Sequence, residues 1–192
     1  MTVVEDLRRA RATSHTTLSQ LAELTGQTRS NLSTLLAGTR DPQASTIERV
    51  ANGLGLTVIA APLGNRATVA QLVDRIADAV STGNTSRAYR SYIQIADNLE
   101  AADPFTRILL AAQEPASIDA RYDAAVAAVV DWRLSAAGLP TPHWAANRSG
   151  DPEDRWRIPA EFDDDQLPDA ADVPDSFRNR GIWIDAKELT SA

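Results

Sequence analysis

The feature that most restricts what this chain can fold into is a pair of short apolar patterns in residues 17–38, TLSQLAELTGQTRSNLSTLLAG. Thr16 or Thr17 suits the cap of a helix whose inward positions are Leu18, Leu21, Ala22 and, at its end, Leu24. Gly26 follows, and glycine readily supplies the left-handed turn that ends a helix. Thr28 has N-cap chemistry for a second helix through Ala37, with Leu32, Leu35 and Leu36 on its inner side and Gly38 closing it. Small Ala22 stands where the two helices must approach closely. Arg29, Ser30, Asn31, Ser33 and Thr34 fall on the outer side of the second helix. Short hydrogen-bonding groups outside and an apolar anchor behind are what a helix needs to enter the major groove of duplex DNA.

The flanking residues extend this pattern. Val4, Leu7 and Arg8 recur at helical spacing over residues 3–12. DPQAS forms a turn, and a fourth helix carries Ile47, Val50, Ala51 and Leu54 before stopping near Gly55. Residues 3–56 as a whole resemble the Xre/Cro-like helix-turn-helix family, in the small residue of the first motif helix, the turn glycine, the glycine after the second helix and the NGLGL ending. The resemblance implies that Gln27, Thr28, Arg29, Ser30 and Asn31 meet base edges or nearby phosphates, with Ser33 and Thr34 further along the groove. Arg29 is the best placed for a bidentate contact to guanine. Thr17, Ser19 and Gln20 would hold phosphate from the preceding helix, and Thr39 and Arg40 from beyond the recognition helix. One departure matters. Leu18 stands where a polar glutamine often opens the first motif helix in this family, which shifts the phosphate clamp to Thr17 or Ser19.

Charge is divided along the chain. Residues 1–66 hold seven Arg and five acids, a net of +2, although the whole chain carries −7. An acidic protein can carry a locally basic reading head. Residues 158–176 hold seven acids and no Lys or Arg.

The expected organisation is a helix-turn-helix domain over residues 1–62, a linker at 63–67, a helical bundle over 68–138 and an acidic Pro- and Trp-containing tail over 139–192. Residues 57–62, TVIAAP, are β-prone and closed by proline. Such a strand has nothing to pair with inside a helical domain, so it would pair with its copy in a second subunit or with a later strand. Four helical patterns follow. They carry Val69, Leu72, Val73, Ile76 and Val80; then Tyr89, Tyr92, Ile93, Ala96 and Leu99; then Pro104, Phe105, Ile108 and Leu109; then Tyr122, Val126, Val129, Val130 and Leu134 up to Gly138. In the tail, Ile182, Trp183 and Ile184 read as a short strand. The fold class is mainly α: an N-terminal helix-turn-helix bundle, a C-terminal helical bundle and an irregular tail with short strands.

The pieces AQEPASIDARYDAAVAAVVDWRLSAAGLPTPHW and PDSFRNRGIWIDAKELTSA resemble the extension of actinobacterial Xre-type antitoxins, which pair with nucleotidyltransferase-like toxins of the AbiEii type. The resemblance covers much of residues 104–192 and rests on dispersed positions. It implies an antitoxin that represses its own promoter and neutralises its toxin by direct binding. Trp144, Trp156, Phe177 and Trp183 are candidate anchors for that partner, with Arg178 and Arg180 beside them; the alternative is that these aromatics close the protein's own core. The acid run would answer a positive nucleotide-binding cleft. Double-stranded DNA, the toxin and a second copy in a homodimer are the partners expected. The alternative is a stand-alone Xre-family regulator whose C-terminal domain senses a ligand or dimerises.

Catalytic chemistry is not expected. The chain has no Cys and two His, so thiolate catalysis and Cys-based zinc sites are excluded. His143 sits between Pro142 and Trp144 with no nucleophile beside it, His15 lies in the first helix-to-helix turn, and no P-loop, GxSxG or HExxH pattern occurs. Asp163, Asp164 and Asp165 are adjacent carboxylates that diverge in direction and lack EF-hand spacing, so no metal and no cofactor is expected. No apolar run is long enough for a membrane span, and MTVVEDLRRA lacks a signal pattern. The expected location is cytoplasmic.

Overall fold

The computed structural model of the protein describes residues 3–160 and 166–190. Asp163, Asp164 and Asp165 lie outside the described residues. The chain divides into two compact units, Met1–Ala61 and Pro62–Ala192.

The first unit contains α1 (Val3–Thr13), α2 (Leu18–Thr25), α3 (Arg29–Ala37) and α4 (Ala44–Gly53). Its core is Leu7, Leu21, Leu32, Leu35, Leu36, Val50 and Ala51, so each helix contributes one apolar stripe to a common centre. Thr17 caps α2 in a reciprocal capping box with Gln20, and Gly26 ends it with φ 66°. Thr28 caps α3 by accepting the Asn31 N–H, and Gly38 closes it. Leu24, expected inward, is 66% exposed. At the end of α2 the inward place is taken by Thr25, which is buried and satisfies its hydroxyl by donating to the Leu21 carbonyl at 2.7 Å.

Among the described residues, the segment 57–62 expected as a strand pairs with no later strand of its own chain. Leu56 N–H still bonds back to the Ala51 carbonyl. Beyond it, residues 57–61 have no backbone ladder partner among the described residues. β-propensity expresses packing on a neighbouring strand, and a unit of helices supplies none.

The second unit contains α5 (Val69–Ser81), α6 (Thr85–Glu100), α7 (Pro104–Ala112), α8 (Ala120–Ala136), α9 (His143–Asn147), α10 (Asp175–Arg178) and a 3-10 turn at Ala186–Leu189. Side-chain caps set the four long helices: Thr68 with Gln71, Asn84, Asp103 ahead of Pro104, and Asp119. Helix α8 runs through the centre. Every residue from Ala124 to Val130 is buried, and the Tyr92 hydroxyl donates to the Ala125 carbonyl at 3.0 Å.

The stretch expected as a linker is part of this unit. Leu63 and Ala67 pack on its core, and Arg66 donates to the Ala101 carbonyl at 3.2 Å. The first unit therefore holds six Arg against five acids, not the seven counted to residue 66. Bundle and tail also share one core. Ile158, Val173, Phe177, Ile182, Ile184 and Leu189 are buried in it with the bundle residues.

The strand expected at Ile182–Ile184 reduces to one parallel bridge, Trp156 to Ile182. Helix α10 ends just before it and Asp185 caps the 3-10 turn just after it, which leaves no length for a ladder. Arg133, buried on α8, donates to Glu100 Oε2 at 2.7 Å and to the Leu189 carbonyl at 2.6 Å, tying the terminal turn to the bundle. Burial lowers its pKa from the usual guanidinium range.

Candidate nucleic-acid interface

The outer face of α3 is built by the leucines behind it. Leu32 is 1% exposed, Leu35 5% and Leu36 6%, and this fixes Arg29, Ser30, Asn31, Ser33 and Thr34 in solvent. The side chains of Arg29, Ser30, Asn31 and Ser33 have no hydrogen-bond or ion-pair partner among the described residues, so the fold makes no use of their polar atoms. The Thr34 hydroxyl donates to the Ser30 carbonyl at 3.0 Å and keeps its acceptor lone pairs. The far end of α3 is held from α1. Arg8 donates through Nε to the Leu36 carbonyl at 2.8 Å, with Nη2 on the same oxygen at 2.5 Å. A cation on the last carbonyls also suits the negative end of the helix.

Beside α3 a groove of about 320 Å³ runs to the start of α4. It brings together Gln27, Asn31, Thr34 and Arg40 with Gln43 and Thr46. Arg29, Ser30 and Ser33 lie outside its lining, on the exposed face of α3. Arg40 and Asp41 adjoin in sequence but form no ion pair, so the guanidinium is open to an external anion. Thr39 is exposed, and its hydroxyl donates to the Thr34 carbonyl at 3.3 Å. Gln43 and Thr46 escaped sequence reasoning. Gln43 precedes α4 without a side-chain cap bond, and nothing in the DPQAS turn marks it as facing α3.

The start of α2 presents a second polar group. Gln20 Oε1 accepts the Thr17 N–H at 2.9 Å and the Thr17 hydroxyl at 2.8 Å. That bond uses the acceptor of the glutamine amide and leaves Nε2, a pure donor, without a partner among the described residues. Ser19 is exposed beside it. Leu18 opens the helix as a half-buried residue packed on the core, so the polar duties pass to its neighbours.

Two helices meeting at a tight glycine turn, the second with its polar face open, form a recognisable module. Residues 4–61 match the family model of the helix-turn-helix domain. The first unit is a helix-turn-helix domain. No curated protein and no solved structure matches the chain. Among the described residues, no helix is long and apolar enough to cross a membrane.

The residues expected at a partner surface of the second unit separate by burial. Phe177 is 0% exposed, its ring 5.8 Å from that of Trp132 in an edge contact. Trp144 is 7% exposed and donates through Nε1 to the Ala111 carbonyl at 2.9 Å. Arg180 is spent inside the unit, on Asp131 Oδ2 at 3.1 Å and the Ser176 carbonyl at 2.8 Å. These three close their own unit and, as placed, offer a partner little. Trp156 is half-buried in an edge contact with Tyr122. Trp183 is half-buried under Arg155, whose guanidinium stands 4.9 Å from the ring centroid. Arg178 pairs with Asp175 and donates to the Ala170 carbonyl at 3.2 Å.

Proposed function

We propose that the chain is an Xre-type transcriptional regulator that reads duplex DNA with α3, and that it serves as the antitoxin of a nucleotidyltransferase-like toxin. The observation that carries the DNA reading is the open outer face of α3, backed by buried leucines and flanked by the uncommitted cations Arg29 and Arg40. Arg29, Ser30, Asn31 and Ser33 supply donors and acceptors for base edges. Arg40, Thr39, Ser19 and the Gln20 amide supply phosphate contacts that fix the register. Gln43 and Thr46 join them across the groove.

The toxin reading draws on the C-terminal resemblance and on charge. The second unit carries thirteen of the nineteen basic and twenty-one of the twenty-six acidic residues. A negative protein surface complements the positive cleft of an enzyme that binds nucleotides. With Phe177 and Trp144 buried and Arg180 bonded within its own unit, the contact would rest on acidic surface and on the exposed edges of Trp156, Trp183 and Arg178.

Two substitutions test the DNA reading. Arg29→Ala is expected to cost about 1–3 kcal/mol of binding to the operator and far less on scrambled DNA. Equal loss on both would remove a base-reading role. Arg40→Ala is expected to weaken binding evenly across sequences and to lower the slope of log affinity against log salt by about 1. An unchanged slope would remove the phosphate contact. The test of the whole reading is co-purification with the product of the adjacent gene, followed by a mobility-shift assay on the shared promoter. Absence of a stable complex would end the antitoxin assignment and leave the DNA assignment standing.

A further inference from the structure

The first unit leaves one segment unexplained. Leu56, Val58 and Ile59 are 38%, 44% and 59% exposed, and Leu24, whose Cβ would lie 3.7 Å from a Cβ placed on Gly53, is 66% exposed. Three of these four large apolar side chains fall within four consecutive residues, and the fourth lies against the end of the helix that leads into them. Scattered apolar residues on a surface are ordinary, but a contiguous group is the mark of a contact surface. The backbone points the same way. From Thr57 to Ala61 no N–H or carbonyl has a ladder partner among the described residues. The residue types are those of a strand: Thr57, Val58 and Ile59 are β-branched, and Pro62, with no N–H to give, marks where pairing stops.

We propose that residues 57–61 form an intermolecular antiparallel β-ribbon with the same residues of a second copy of this chain. Three observations select that occupant. First, among the described residues the only β pairing is the bridge from Trp156 to Ile182, so the chain offers this segment no edge of its own. Second, no charged side chain occurs between Arg49 and Arg66. Antiparallel self-pairing about a two-fold axis therefore sets no like charges opposite one another, and the neutral strand is its own complement. Third, the segment leaves the helix-turn-helix domain directly after α4, so a ribbon there joins two reading units. Helix-turn-helix dimers place their recognition helices about 34 Å apart on successive turns of the duplex. This last argument rests on the DNA reading proposed above; the first two do not.

Strand alternation places Thr57, Ile59 and Ala61 on one face of the ribbon and Val58 and Ala60 on the other. Ile59 lies at the middle of the segment, next to the symmetry axis, so a charge introduced there would meet its own copy. Its exposure within one chain means that the substitution leaves the folded unit intact.

The full-length protein and the Ile59→Lys variant should be compared by sedimentation equilibrium across micromolar concentrations. The wild type is expected to be a dimer, and the variant is expected to dissociate with a Kd raised by about tenfold or more, with unchanged helical circular dichroism. The absence of cysteine from the sequence permits a second test. Under mild oxidation Ile59→Cys is expected to cross-link rapidly into a dimer. Phe105→Cys, equally exposed at 60% but in the other unit, is expected not to. A monomeric wild type, an Ile59→Lys variant that dimerises as tightly as the wild type, or equal cross-linking of the two cysteines would each overturn the proposal. Failure of the DNA reading gives a different pattern: a dimer lost on Ile59→Lys, but no operator preference sensitive to Arg29→Ala.

Discussion

Phe177→Ala is expected to remove about 3–5 kcal/mol of stability from the second unit and to leave the first untouched. The phenylalanine is fully buried and meets Trp132 edge to face, so truncation both opens a cavity and removes a ring contact. Sequence composition makes the test clean. All four Trp and all three Tyr lie between residues 89 and 183, and none lies in Met1–Ala61. Tryptophan fluorescence during urea unfolding therefore reports the second unit alone. The midpoint should fall steeply, while operator affinity, measured well below the transition, stays at the wild-type value. An unchanged midpoint would mean that Phe177 does not stand in the core and is free to serve as a partner anchor.

Gly181→Ala is expected to be at least as damaging, for a backbone reason. Gly181 has φ 71°, a region in which an L side chain costs about 1–2 kcal/mol. A Cβ there would also stand 1.9 Å from the Asp151 carbonyl oxygen and 2.6 Å from that of Asp154. Both obstacles are main chain, so no rotamer relieves them. The turn they belong to is held from α8, where Arg121 grips Asp154 with two bonds at 2.7 and 2.9 Å. Gly181 itself accepts the Trp156 N–H at 2.9 Å. The expected loss is at least about 3 kcal/mol, with the environment of Trp156 and Trp183 altered before global unfolding. Wild-type stability in this variant would show that residues 151–154 do not approach Gly181 as placed.

The parts of the fold that the sequence disclosed are those where local chemistry decides structure. Thr17, Thr28, Gly26 and Gly38 mark the ends of α2 and α3 by capping and turn preferences that act within a few residues. The same holds for Pro104, at the start of α7 in the second unit. Where structure depends on distant partners, the reading gave way. Tail residues such as Ile158, Val173 and Phe177 enter the core at irregular spacing between prolines, which no periodicity exposes. The same residue type serves a partner surface or a core, so sequence alone did not separate Phe177 and Trp144, which stand inside, from Trp156 and Trp183, which are half-buried. At the candidate interface the outward face of α3 was legible from its leucines. Gln43 and Thr46 were not, because they reach the groove by the packing of α4 against its neighbours.

The outward residues of α3 have one further consequence. Arg29, Ser30, Asn31 and Ser33 are exposed and give no side-chain hydrogen bond or ion pair to the folded unit among the described residues, whereas Leu32, Leu35 and Leu36 are buried in its core. Whatever this face recognises can thus be rewritten residue by residue without retuning the scaffold. Divergence in target choice and preservation of architecture fall on separate positions of the same nine-residue helix.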